Sequence, residues 1–296
     1  MSTEVTDSSP DRPGILARPQ NQPYVTARLS HLKAGSEFSF SYVSQPPPGM
    51  PWENCEYEDH EVCIAEGRGA LQAGTVHSRG FELVDAPSVV TDFLDREVIK
   101  STYYEEASEL ALVVTGGQRA FIFDHLIRRR APNRAALNFG REHANGAAST
   151  NGRVHNDYTE SSGRRRLELV GIDPAEVPQI RRYSIVNIWR SIGGPVLDTP
   201  LAVCDARTVM ASDLVTSELR YPSRIGQIYL GVHSPLHRWS YFSEMDRHEA
   251  LVFKQYDSQL SGVARFTPHA AFDHPTIPPL APLRTSIEVR CLVTYD

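Results

Sequence analysis

Along most of the chain apolar and polar residues alternate with period two, the pattern of strands that bury one face. Eight segments carry it: Tyr24 to Leu29, Phe38 to Val43, Arg119 to Phe123, Arg153 to Tyr158, Tyr183 to Trp189, Gln227 to Val232, Ala250 to Tyr256 and Ser286 to Tyr295. In each, Val, Ile, Tyr and Phe are interleaved with polar side chains, so a half-buried antiparallel sheet is expected. Helical spacing is concentrated in one early block. Ser88 opens it, Val89, Val90, Phe93 and Leu94 share a face, and Tyr104, Ala107, Leu110, Ala111 and Val114 continue that face to Gly116-Gly117. The glycine pair supplies a left-handed stop. A second, shorter helix is expected from Ser162 to Val170. Pro46-Pro47-Pro48 and Pro278-Pro279 mark loops. Many strands with a few helices give a mainly β fold with flanking helices, a sandwich or barrel in a single domain.

The ends and the composition narrow this further. Met1 to Pro23 is rich in Ser, Asp, Pro and Gln and reads as a flexible arm (1–23) before a domain spanning 24–296. The longest apolar run, Leu110 to Val114, is far shorter than the ~20 residues a bilayer requires. Thirty Lys and Arg against thirty-six Asp and Glu leave a net charge of -6, which argues against nucleic acid as a partner. Four cysteines, Cys55, Cys63, Cys204 and Cys291, show no C-x-x-C spacing. A reducing, cytoplasmic setting and a small-molecule partner, with no membrane, fit these features. Base rates alone make a homodimer the default assembly.

Candidate chemistry enters with His155 and Asp157. Two apart on a strand, they point to one face, as a two-histidine, one-carboxylate iron site requires. Eleven histidines and thirty-six acidic residues give about one such pair by chance, so the spacing needs support. A third ligand would come from a later strand, among His233, His237, His248, His269 and His274. If 2-oxoglutarate is held as well, its distal carboxylate calls for an arginine opening the next strand. His269 meets that condition: after the proline-rich turn, Arg284 starts a strand and Ser286 follows on the same face. Other features have bland readings. His125 reads as a structural histidine. Arg128-Arg129-Arg130 and Arg164-Arg165-Arg166 read as solvated faces. Lys254, Asp257 and Ser258 read as a buried polar network, and Trp189 and Trp239 as pocket walls or core.

Seven segments occur in an order that resembles a known family: Phe123-Asp-His-Leu-Ile-Arg128, Asn187-Ile-Trp-Arg190, Pro200-Leu-Ala-Val-Cys-Asp205, His237-Arg-Trp239, Lys254-Gln-Tyr-Asp-Ser258, Thr267-Pro-His-Ala-Ala-Phe272 and Ser286-Ile-Glu-Val-Arg290. Together they resemble the fungal hydroxylase/desaturase family, related to the cephamycin methoxylation protein and of the gibberellin desaturase type, over residues 24 to 295. The resemblance implies a double-stranded β-helix (jelly-roll) barrel and an Fe(II)/2-oxoglutarate-dependent dioxygenase. Such an enzyme uses dioxygen, releases succinate and oxidises a secondary metabolite, here expected to be polycyclic or terpenoid-like. It also implies His155, Asp157 and His269 as metal ligands and Arg284 with Ser286 as the cosubstrate pair. Asn187 is implied as a further cosubstrate contact and Arg290 as a pocket residue; Arg284 and Arg290 both remain candidates for the carboxylate. Read from the residues themselves, Tyr158, Trp189, His237 and Trp239 are further pocket candidates, with His237 alternatively capping a strand. Asn156 and Tyr158 depart from the Val and Gln usual around the pair, which implies altered surroundings for the metal and altered substrate choice. A redox-neutral metal-dependent isomerase and a non-catalytic β-sandwich binding module are the alternatives.

Overall fold

The structure is a computed structural model and describes residues 24–35, 38–68, 74–133, 137–139 and 148–295; the expected N-terminal arm lies outside them. Fifteen strands are present among the described residues: β1 (Tyr24–Leu32), β2 (Ser39–Tyr42), β3 (Tyr57–Glu66), β4 (Phe81–Asp85), β5 (Arg119–Arg129), β6 (Ala148–Ser149), β7 (His155–Asn156), β8 (Tyr183–Ser191), β9 (Leu201–Cys204), β10 (Leu214–Arg220), β11 (Ile225–Gly231), β12 (Trp239–Tyr241), β13 (Glu249–Asp257), β14 (His269–Ala271) and β15 (Thr285–Thr294). They form two sheets. The larger has the order β1-β3-β12-β9-β14-β7-β11-β10-β2, and the smaller β4-β13-β8-β15-β5-β6.

The outer face of the smaller sheet is apolar. Val186, Ile188, Val252, Ile287, Val289 and Val293 face outward and are covered by helix α2 (Tyr104–Thr115), whose Ala107, Leu110, Ala111 and Val114 fill the contact. Helix α1 (Arg96–Val98) and a π-helical turn (Ile99–Tyr103) lead into α2. The helix begins at Asp95, whose carboxylate accepts from the Glu97 and Val98 amides, so the expected start at Ser88 is too early. Val89 is exposed, and its amide donates to Glu106 Oε1 of α2 at 2.9 Å. The stop at Gly116, φ 66°, is as expected. Helix α3 (Glu160–Leu167) replaces the expected 162–170 segment, with Thr159 as its cap.

The larger sheet curls until β1 returns to β7 and β11, through a Ser30–Arg153 bridge and a Leu32–Val232 bridge. It therefore has two different interiors. Leu29, Val154, Ala202, Cys204, Trp239 and Ala270 fill the space inside the curl. The alternate residues Leu201 and Val203 face the smaller sheet, where they pack with Phe81, Trp189, Leu251 and Phe253.

Candidate metal centre

His155 and His269 are directly opposed residues of β7 and β14, with ring centroids 4.2 Å apart. Both point between the sheets, because their neighbours Val154 and Ala270 point into the curl. His155 Nδ1 donates to the Arg153 carbonyl at 2.8 Å and His269 Nδ1 to the Thr267 carbonyl at 3.2 Å. A carbonyl only accepts, so each Nδ1 carries the proton and each Nε2 presents a lone pair. Asp157 completes the group: its Oδ1 is 3.4 Å from His155 Nε2, and one ligand atom from each of the three residues lies within 4.8 Å of the others. Among the described residues no other group of three His, Cys, Asp or Glu meets that spacing.

Asp157 is held at its carboxylate by two donors and at its amide by a third group. Asn187 Nδ2 donates to Asp157 Oδ2 at 2.8 Å and Arg290 Nε to the same oxygen at 3.1 Å. Gln255 Oε1 accepts from the Asp157 amide at 2.7 Å. Burial alone would raise the Asp157 carboxyl, but Arg290 and then His155 outweigh it and hold it well below the carboxylate range. Burial, with His155 beside it, takes His269 down to about 3. The anionic and neutral forms that bind a divalent cation are therefore the forms present at neutral pH. Two imidazoles and one carboxylate converging from one side suit non-haem Fe(II), a set that leaves positions for a chelating ligand and dioxygen.

Around the triad runs a charged row on the inner face of the smaller sheet. Arg290 lies opposite both Asn187 on β8 and Asp124 on β5, and Ser286 lies opposite Arg128. Arg290 is fully engaged, with Nη1 on Asp124 at 2.9 Å and Nη2 on Glu288 at 2.9 Å. Arg284 is buried: its Nε donates to Ser286 Oγ at 3.3 Å and its Nη1 to the Thr199 carbonyl at 2.8 Å, with the guanidinium 5.1 Å from the Trp189 ring. Burial and then the neighbouring Arg128 lower Arg284 to about 9. Two guanidiniums crowded in a buried pocket favour an anionic ligand.

The residues expected at the site separate into groups. His155, Asp157, His269, Asn187 and Arg290 come together, and Trp189, Arg284 and Ser286 form the adjoining wall. Tyr158 lies beyond Asp157 in a cluster with Leu167, Tyr183 and Tyr256. Trp239 is on the far side of the sheet, inside the curl, and His237, 6.2 Å from it, goes with it; neither meets the triad. The reading of Arg128-Arg129-Arg130 as a solvated face is corrected: only Arg129 is exposed, Arg130 is buried and Arg128 is half-buried. Strand alternation sends Arg128 inward, which a basic triplet read as a block conceals. Gln255, Glu288 and Asp124 were also missed. Glu288 and Asp124 share strand parity with Arg290 and Arg128, the signal that would have found them. Lys254 Nζ bonds Asp257 at 2.7 Å and Ser258 Oγ accepts from the Tyr183 amide at 3.0 Å, as expected of a buried polar network. A cavity of about 580 Å³ is lined by Met210, Leu214, Tyr229 and Phe266, among others, and by none of the triad.

A mainly β fold of two facing sheets carrying this triad defines a class, the Fe(II)/2-oxoglutarate-dependent oxidoreductases. Comparison with known proteins gives the family. A family model described as "Oxidoreductase/YMDC permease-like domain" matches residues 28–294; no helix among the described residues is long and apolar enough to cross a membrane. The chain is 29% identical to hydroxylase/desaturase efuI of Hormonema carpetanum, covering 93% of this chain and 96% of that one. It is 30% identical to the Fe(II)/2-oxoglutarate-dependent dioxygenase nvfI of Aspergillus novofumigatus, covering 88% and 92%. A solved structure of the iron and alpha-ketoglutarate-dependent endoperoxidase NvfI superposes with a TM-score of 0.80 at 24% identity, over 93% of this chain and 99% of that one. The chain belongs to the fungal hydroxylase/desaturase family of Fe(II)/2-oxoglutarate-dependent oxygenases.

Proposed function

We propose that the protein hydroxylates, desaturates or otherwise oxidises a small, mostly apolar secondary metabolite, coupled to decarboxylation of 2-oxoglutarate to succinate. The observation that carries this reading is the convergence of His155, Asp157 and His269 beside a buried arginine wall. His155 Nε2, Asp157 Oδ1 and His269 Nε2 hold Fe(II). Arg284 takes the distal carboxylate of 2-oxoglutarate with its remaining Nη2, and Ser286 Oγ donates to it; Arg290 is occupied by three carboxylates and orients Asp157 instead. With both groups bound, the site supplies an oxidant able to remove hydrogen from an unactivated carbon. The chain contributes placement and shielding. Asn187 and Arg290 fix the carboxylate plane, Phe253 packs 4.8 Å from the His269 ring, and Trp189 and Leu251 keep the adjoining wall dry. Asn187 Oδ1 is buried without a hydrogen-bond partner and is the acceptor on this wall for a donor on a bound molecule.

The names of the relatives span hydroxylase, desaturase and endoperoxidase, which supports an outcome set by substrate placement rather than by the ligand set. The test is to measure succinate from the anaerobically loaded protein after admission of oxygen, for wild type, Asp157→Ala and His269→Ala. Wild type is expected to form succinate and the folded variants to form none; full turnover in both variants overturns the assignment.

A further inference from the structure

Four histidines gather at one end of the curl, on the other side of the larger sheet from the triad. His31 on β1 is 5.4 Å from His60 on β3 and 5.3 Å from His233 after β11, edge to face in both cases, and His60 and His233 stack at 3.9 Å. His237 adds its field to His31 and His233, and both His31 and His237 pack on Trp239. His31 is fully buried, and its Nδ1 donates to the Leu29 carbonyl at 3.0 Å. This is the anchor to the carbonyl two residues back that His155 and His269 use to bare their Nε2. The His31 Nε2 bared in this way has no hydrogen-bond partner.

The same incompleteness recurs around it. His237 Nε2 lies 3.0 Å from Asp213 Oδ2, and its Nδ1 is buried with no partner. His60 Nε2 is 3.0 Å from Glu58 Oε1 without hydrogen-bond geometry. A buried nitrogen left without a partner is unfavourable, and a purely packed core would place Leu or Phe there. Burial first, and then the surrounding histidines, lower His31 to about 3; burial and then His60 and His237 lower His233. Imidazoles with one nitrogen held, His31 by a carbonyl and His237 by a carboxylate, and the other left bare are the arrangement of metal ligands and their supports.

We propose that His31, His60, His233 and His237 form a second metal site, separate from the iron triad, for a borderline divalent ion of the zinc class that prefers imidazole nitrogen. As they stand the four do not reach the ligand spacing of the triad; convergence requires His60 and His233, stacked on each other, to turn apart, because stacked rings aim their lone pairs in parallel planes. His31 and His237 stay as held by Leu29 and Asp213. The ion would tie β1, β3 and the segment after β11 together and close the curl at that end.

Zinc itself is the probe. Protein stripped with chelator, dialysed against Zn²⁺ and desalted is expected to retain two ions per chain in wild type and one in Asp157→Ala. The His60→Ala/His233→Ala double variant is expected to retain one, and the triple variant none. Asp213→Ala is expected to weaken the second ion about tenfold or more. Zinc should raise the Tm of Asp157→Ala and leave that of the triple variant unchanged, with matching apo circular dichroism as the fold control. Equal zinc in Asp157→Ala and the triple variant, or no zinc-dependent rise in Tm for Asp157→Ala, overturns the proposal. Failure of the triad reading appears separately, as equal zinc in wild type and Asp157→Ala.

Discussion

Arg290 holds Asp157 by one oxygen only: its Nε reaches Oδ2 at 3.1 Å, while Oδ1 turns to His155 at 3.4 Å. The ion pair therefore selects which oxygen faces the metal. Burial opposes the Arg290 charge, but Asp157, Glu288 and Asp124 raise its pKa well above the usual range.

Replacing Arg290 with Gln removes the partner of three carboxylates at once. Metal affinity is expected to fall about 10–100-fold, the usual scale for the supports of metal ligands. Arg290→Lys should not restore it, because one ammonium cannot bridge three separately placed carboxylates. Equilibrium dialysis against Fe(II) under anaerobic conditions measures this, and wild-type affinity in Arg290→Gln would contradict the role.

Arg284→Gln is a different experiment on the same wall. The change leaves the triad intact, so metal affinity should be kept while the KM for 2-oxoglutarate rises at least about tenfold, equivalent to 1.4 kcal/mol. Steady-state kinetics with varied 2-oxoglutarate checks it. An unchanged KM would move the carboxylate contact away from Arg284.

Gly163 lies on α3 against the Tyr256 ring, and a Cβ built on it would come within 2.5 Å of that ring. Because α3 follows the metal pair through the Thr159 cap, the aromatic ring and the helix cannot both keep their places. Gly163→Ala is expected to destabilise the fold by about 1–3 kcal/mol, read as the shift in a urea midpoint. A neutral result would mean that the helix moves freely over Tyr256.

Stability of the metal-free protein should fall on acidification from about pH 6.5. His31 and His269 are both lowered to about 3 in the fold, against about 6.5 in an unfolded chain. Between those values the unfolded state binds more protons, so stability rises with pH, each group contributing a slope of up to about 1.4 kcal/mol per unit. Below about pH 4 Asp257 adds to the loss: burial would raise it, yet Arg182 and then Lys254 hold it below its ordinary value. Denaturant titrations across pH 4.5 to 6.5, an interval on the order of two units, should show a shallower slope in His31→Leu. Coincident slopes would refute the His31 contribution.

Much of this architecture is written in the sequence, and the gaps have physical causes. β1 and β11, each with a wetter face, announce themselves by alternation, whereas β3, also part-exposed, carries charge at both parities from Glu58 to Glu61 and does not. In contrast, β9, β12 and β14 are buried on both sides, because the curl gives the larger sheet two interiors, and no alternation survives to mark them. The segment from Arg153 to Tyr158 reads as one strand, yet only His155–Asn156 pairs as β7, since the chain turns at once into the α3 cap. Trp239 and His237 show the limit most clearly. A pattern of apolar residues says that a side chain is inside, and in a fold with two insides it does not say which. The triad was legible because ligand chemistry, strand parity and the later arginine point the same way. The row of Asp124, Arg128 and Glu288 was not, because their partners are three strands that only the fold places side by side.

Val154, just before β7, and His155, its first residue, face different rooms. Val154 contributes to the packed interior of the curl, and His155, one residue on, belongs to the metal centre. The wall between the two compartments is a single backbone thick. A change in bulk at Leu29 or Ala270, on the curl side of that wall, therefore tilts the peptides that aim His155 and His269, so that repacking the sealed compartment is a route to retuning the reactive one.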